Sequence, residues 1–231
     1  MFIPVTKIKK ILDSLLTLIR EDYLTCFEQE REEESFLYRV LYGSALGDYD
    51  FYEQGKDIFV RTDGSSRQIQ TRMGFDLGVT TLPTIYVHQP SEVMKGVNTI
   101  GFGMDTNEFY TNTDGTIVEK LFRGSASTFE YVITSPNVLE TLLVYEVLYA
   151  ALISIVDTFT EYFNSISITG KELVAHHETM PEPLFIKAIQ VDVDYIKQVP
   201  RLTTPQELIS LVEFDKPTLL YDDEMIGNNL I

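Results

Sequence analysis

The chain has 231 residues, 44% hydrophobic and 23% charged, a balance that supplies a sizeable core and excludes a disordered class. Its 35 Asp and Glu against 18 Lys and Arg give a formal net charge of −17. Nucleic-acid and anionic-membrane binding start from basic side chains that neutralise phosphate, so this balance argues against both, with Lys7, Lys9 and Lys10 as a local basic cluster.

A long amphipathic helix is predicted first. Pro4 suits its first turn, and Ile8, Leu12, Leu15, Leu16, Ile19 and Tyr23 recur on one face. The start, MFIPVTKIKK, lacks the order of a secretory signal. Cys26, the one cysteine, excludes an intrachain disulfide. Inside a helix and without a nearby histidine, it is expected to be a buried structural thiol, which fits synthesis in a reducing cytoplasm. The run Glu28 to Glu34 is expected to be the solvated end of this helix rather than a metal site.

Residues 36–56 hold Phe36, Tyr38, Tyr42, Tyr49, Phe51 and Tyr52 and fit short strands or an irregular loop, facing a core or a partner. From 57 to 134 the texture is β, with strands expected at 57–61, 67–73, 84–88, 108–111, 116–123 and 128–134. Asp63-Gly64 and Asp114-Gly115 mark hairpin turns, and 90–105 is expected to be a glycine-containing loop. A second helix is expected over 136–164, capped by Ser135 with Pro136 as its first residue. Apolar residues nearly encircle it, from Leu139, Leu142 and Leu143 to Phe159 and Phe163, so it is buried on several sides. Its most apolar part, 141–156, contains Glu146 and is too short to span a membrane, which favours a core helix. Ile189, Val191, Val193 and Tyr195 alternate with Gln190, Asp192 and Asp194 as a half-buried strand. A short helix is expected to start at 204–207, and 217–231 is an acidic arm that orders on a partner.

Motifs for chemistry are missing. No P-loop, GxSxG or HExxH occurs, and Gly101 to Asp105 lacks the third glycine of a dinucleotide fingerprint and is expected to be a turn. His88, His176 and His177 form a metal site only if the fold converges them, and loop or interface histidines are preferred. Asp192 and Asp194 occupy the polar half of a strand, where solvated carboxylates are expected, and Asp48 and Asp50 are similar. Arg61, Arg67 and Arg72 are candidates to pair with a neighbour's carboxylates. No catalytic residue, cofactor or metal ligand is therefore assigned.

The order of elements resembles the tail-terminator and head–tail connector (neck) proteins of bacteriophages. It rests on the first helix at 4–30, the β region, SPNVLETLLVYEVLYAALISIV and MPEPLFIKAIQVDVDYIKQVP. In texture the chain is also similar to ring proteins of crAss-like phages. The resemblance implies a tail-terminator-like α+β fold, with a mixed or antiparallel sheet on a long N-terminal helix and a long buried central helix. Expected are one domain over 1–216 with an inserted loop region at about 75–115, and the arm at 217–231. It further implies a non-enzymatic homo-oligomeric ring in the virion, made in the host cytoplasm. That ring would touch portal, neck and tail proteins and let DNA pass without holding it. The rivals are a metal-dependent hydrolase using His88, His176 and His177, and an acidic adaptor for a basic protein.

Overall fold

A computed structural model describes residues 4–61, 68–74, 83–94, 107–111, 117–160, 163–172 and 184–200. Helix α1 (Pro4–Glu28) buries Ile8, Leu12, Leu15, Ile19 and Tyr23, the face that the i, i+4, i+7 spacing predicts. Cys26 is partly exposed rather than buried, because it sits in the last turn, past the buried face. The acidic run does not continue the helix. Glu30 takes a positive φ of 57°, and Glu32–Glu34 form a separate 3₁₀ turn.

Residues 36–61, expected to be loop or strand, fold as two short helices around a tight hairpin. Helix α2 (Phe36–Leu41) is capped by Ser35, whose side chain accepts from the Tyr38 N–H. Strands β1 (Ala45–Leu46) and β2 (Tyr49–Asp50) are joined by Gly47-Asp48, with Gly47 at φ 60° as a two-residue turn demands. Helix α3 (Phe51–Phe59) takes Asp50 as its cap, with bonds of 2.9 and 3.2 Å from the Tyr52 and Glu53 N–H groups. The strand expected at 57–61 is thus the last turn of α3 and its exit. Asp50-Phe-Tyr-Glu53 has capping-box spacing, a helix signal hidden by the surrounding aromatics.

Six strands build one mixed sheet in the order β3-β4-β6-β8-β7, with β5 also paired to β6. They are β3 (Gln70–Met73), β4 (Thr84–Met94), β5 (Asn107–Thr111), β6 (Ile117–Ser135), β7 (Ser165–Glu172) and β8 (Phe185–Pro200). Only β3 and β4 run parallel. Two corrections concern strand length. Residues 117–135 are one strand, although Gly124-Ser-Ala-Ser127 have little β preference of their own. Between β4 and β8 their backbone is paired on both sides from Ser125, which overrides propensity. Residues 90–94, expected to be loop, belong to β4. Pro90 cannot donate to a ladder, so the register shifts between His88 and Ser91, and the strand resumes after this bulge.

β4 ends opposite Ser125 and β5 begins opposite Leu121, both on the edge of β6 that faces away from β8. β4 and β5 thus pair with successive parts of one edge of β6. The antiparallel β5–β6 pair brackets Asp114-Gly115, as the turn signal predicts. That dipeptide itself, Asp63-Gly64, residues 101–105, 204–207 and the 217–231 arm lie outside the described residues.

Helices cover one face of the sheet. Ile85 and Val87 of β4, Phe129, Tyr131 and Ile133 of β6, and Ile189, Val191, Val193 and Tyr195 of β8 form one core with α1, α2, α3 and α4 (Val138–Ser154). The alternation in β8 is the one predicted. The fully buried Tyr131 donates to the Ile8 carbonyl at 3.2 Å, tying sheet to α1. Thr71 of β3 donates to Asp13 at 2.7 Å, and Lys9 pairs with Asp13 at 2.6 Å.

The long second helix is shorter than expected and is divided. Asn137, not Ser135, caps it, accepting from the Leu139 N–H at 2.9 Å. Ser135 ends β6 and donates to the buried Glu140, while its own oxygen accepts from the Asn137 N–H. After Ser154, whose hydroxyl turns back onto the Ala151 carbonyl at 2.7 Å, Ile155 leaves helical geometry. A separate turn, α5 (Val156–Thr160), follows and brings Phe159 and Phe163 into the core. No helix among the described residues is long and apolar enough to cross a membrane.

Candidate functional site

Helix α4 is apolar around its circumference, yet only part of it meets the sheet. Leu143, Val144, Val147, Leu148, Ala151 and Leu152 are buried. Val138, Leu142, Glu146, Tyr149 and Ile153, spaced by three or four residues, lie along another side. Val138 and Ile153 are each 51% exposed. Between this side and the α2–α3 segment runs a groove of about 460 Å³. Val40, Leu41 and Phe51 line it from the α2–α3 segment, and Leu142, Tyr149 and Ile153 from α4, with Glu146 among them. A second groove of about 230 Å³ lies between α1 and the end of α4, lined by Leu15, Leu18, Phe36 and Ile155. The sequence marks this helix as buried on several sides but not the groove, because the other wall comes from two short helices that the sequence does not reveal.

Beside the groove the six aromatics of 36–52 separate. Tyr38 and Tyr42 stack at 4.1 Å, and Tyr52 stands nearly perpendicular to both. Tyr52 is buried and Tyr42 is 64% exposed, so the segment serves both core and surface. Glu32 gathers the hydroxyls of Tyr52 and of Tyr23 (3.1 Å), with the Lys56 ammonium at 3.7 Å. Chiefly through the Tyr52 hydroxyl, its carboxyl is held below the usual carboxylate value although burial opposes this, and burial first, then Glu32, pushes Tyr52 far above the ordinary phenol value. A carboxyl depressed in the folded state contributes stability that is present above its ordinary 4.5 and is lost as pH falls through the depressed value. Glu32→Gln is therefore expected to be less stable than the parent at neutral pH and to lose less of its stability in acid. Urea midpoints across that range measure this, and parallel pH profiles for the two proteins would contradict it.

The face of the sheet away from the helices carries polar and charged side chains beside a small buried apolar cluster. His88 lies 3.9 Å from Glu130, which also meets Lys171 at 3.4 Å. Asp192 accepts from Thr128 and Gln190, both at 2.6 Å. Asp194 follows on the same face, and its main-chain carbonyl accepts from the Asn164 N–H at 2.7 Å. The Asp192 carboxylate thus works within the strand network rather than standing solvated, the state expected of the polar half of β8. Small apolar residues (Val132, Ala188) with Tyr86 and Ile186 form a minor cluster here. Beyond the Pro90 bulge the alternation of β4 reverses, and Glu92 meets Lys197 and the Tyr195 hydroxyl, both at 2.6 Å. Lys197 first, then Tyr195, lowers the Glu92 carboxyl, while burial and Glu92 push Tyr195 up to about 12.

Among the described residues no three His, Cys, Asp or Glu side chains are grouped to hold a metal. His176, His177 and Arg67 lie outside the described residues. Arg61, a candidate to pair with a neighbour, pairs with Asp57 of the helix it follows at 3.0 Å, and Arg72 bonds Gln70 at 3.3 Å. Asp48 is exposed in the β1–β2 turn. No family model matches the chain, and no curated protein matches it either.

Proposed function

We propose that this chain is a structural subunit that closes, with copies of itself, into a ring at the head–tail connection of a bacteriophage. The observation that carries the reading is the far end of the sheet. There β5, the leading residues of β6 and the end of β8 form a three-stranded tongue. Pairing of β7 to β8 stops at Asp194, so the residues of β8 that follow have β6 on one side and, among the described residues, no strand on the other. The outer side of β5 is open in the same sense. Open strand edges are templates for strand addition. Two different edges on one tongue suit a head-to-tail interface, and one such interface repeated around an axis makes a closed ring.

The place in the virion rests on the resemblance in element order, from the first helix through the β region and central helix to the closing strands. The acidic balance supports a passage whose walls do not hold DNA. In this reading the protein is made in the host cytoplasm, acts in the virion, contacts portal, neck and tail proteins, and catalyses nothing. The test is the mass of the purified protein by light scattering, alone and with portal-like virion proteins. A discrete ring-sized species is expected in at least one of the two mixtures. A strict monomer in both, above all one carrying stoichiometric metal, would sink the reading and favour the hydrolase.

A further inference from the structure

We infer that the groove between α4 and the α2–α3 segment takes an apolar segment of another protein that carries a lysine or arginine at its centre, the cation pairing with Glu146. This concerns a surface separate from the sheet's open edges and does not depend on the ring reading.

Three observations select the occupant. The groove, at about 460 Å³, is within the size of sites that enclose several side chains, and its walls are mainly aliphatic and aromatic. Ile153, half-exposed at its edge, leaves apolar surface there for a ligand to cover. Glu146 is the one charged residue lining it, and it makes no ion pair or hydrogen bond with the described residues. Glu146 is exposed at the rim of these apolar walls, where it attracts a cation delivered by the ligand, and the Tyr149 ring that also lines the groove favours a cation as well. Finally, a second copy is a poor occupant. Two α4 stripes packed about a two-fold axis bring one Glu146 toward the other without a cation between them.

The probe is a fluorescent amphipathic peptide of about four helical turns, with Leu and Ile at i, i+3, i+4 and i+7 spacing and one central Lys on that face. Its twin carries Glu in place of Lys. With the full-length protein, anisotropy is expected to show the Lys peptide binding roughly tenfold or more tightly than its twin, a preference erased in Glu146→Gln and inverted in Glu146→Lys. Ala150→Arg, which fills the groove, is expected to abolish binding of both peptides while circular dichroism stays unchanged. Absence of binding, or binding indifferent to both Glu146 variants, overturns the inference. So does self-association that Ala150→Arg dissolves, which assigns the groove to a second copy. A synthetic peptide of residues 217–231 that binds there in place of the Lys peptide also overturns it, in favour of the chain's own acidic arm.

Discussion

Phe129→Ala is expected to destabilise the protein by about 3–5 kcal/mol, the largest single effect among the changes considered. Phe129 is fully buried in the middle of β6, with β4 on one side and β8 on the other, and it faces the helices. Truncation removes an aromatic ring from the close-packed core between sheet and helices, which relaxes only in part, so a cavity remains. Set against a whole-domain stability of about 5–15 kcal/mol, that loss is large enough to shift the urea midpoint strongly. The neighbour Thr128 provides the control. It points to the other face and gives one hydrogen bond to Asp192, so Thr128→Ala is expected to cost about 1 kcal/mol. A larger loss at Thr128 than at Phe129 would mean that the faces of β6 are assigned the wrong way round.

The second large effect concerns Gly170. Tyr145 reaches from α4 onto β7 so closely that a β-carbon on Gly170 would collide with its hydroxyl. The Lys187 ammonium lies 4.7 Å from the centre of the same ring. Gly170→Ala must therefore displace a tyrosine that is packed against the core, at a cost of about 1–3 kcal/mol. Because the first obstacle is the hydroxyl, Tyr145→Phe is expected to recover most of that loss. In a double-mutant cycle the two substitutions should then be strongly non-additive. Additive losses would show that the glycine matters for its backbone alone and that Tyr145 does not lie over it.

Both predictions depend on which side of each strand faces the helices, and that was legible for part of the molecule. In α1 and β8 the apolar period alone identifies the buried residues, from Ile8 to Tyr23 and from Ile189 to Tyr195. The apolar residues of 136–164 likewise marked a helix buried on several sides, though the structure divides it into α4 and α5. The polar role of Asp192 and the absence of any catalytic motif were also readable. The candidate groove was not, since one wall consists of elements too short to display a period. Six residues of α2 span less than two turns, so its start is set by the Ser35 cap and by the Asp22 carboxylate that accepts from the Phe36 N–H at 2.7 Å.

The amino-acid sequence by itself thus determined the class of the fold, the longest helix, the clearest strand and the acidic character of the surface. These are local or additive properties: periodicity over many residues, and charge summed over all of them. Only the tertiary structure decided where elements join and break. Ser125 and Ser127 belong to a long strand because two neighbours pair their backbone, and Ser127 meets the Tyr195 hydroxyl at 3.2 Å. Glu92 turns toward Lys197 because Pro90 forces a bulge. Glu146 stands at a groove because two helices far away in sequence, α2 and α3, pack beside α4. In each case the deciding contact joins residues distant in the chain, and its free energy exceeds the small local preference it overrules.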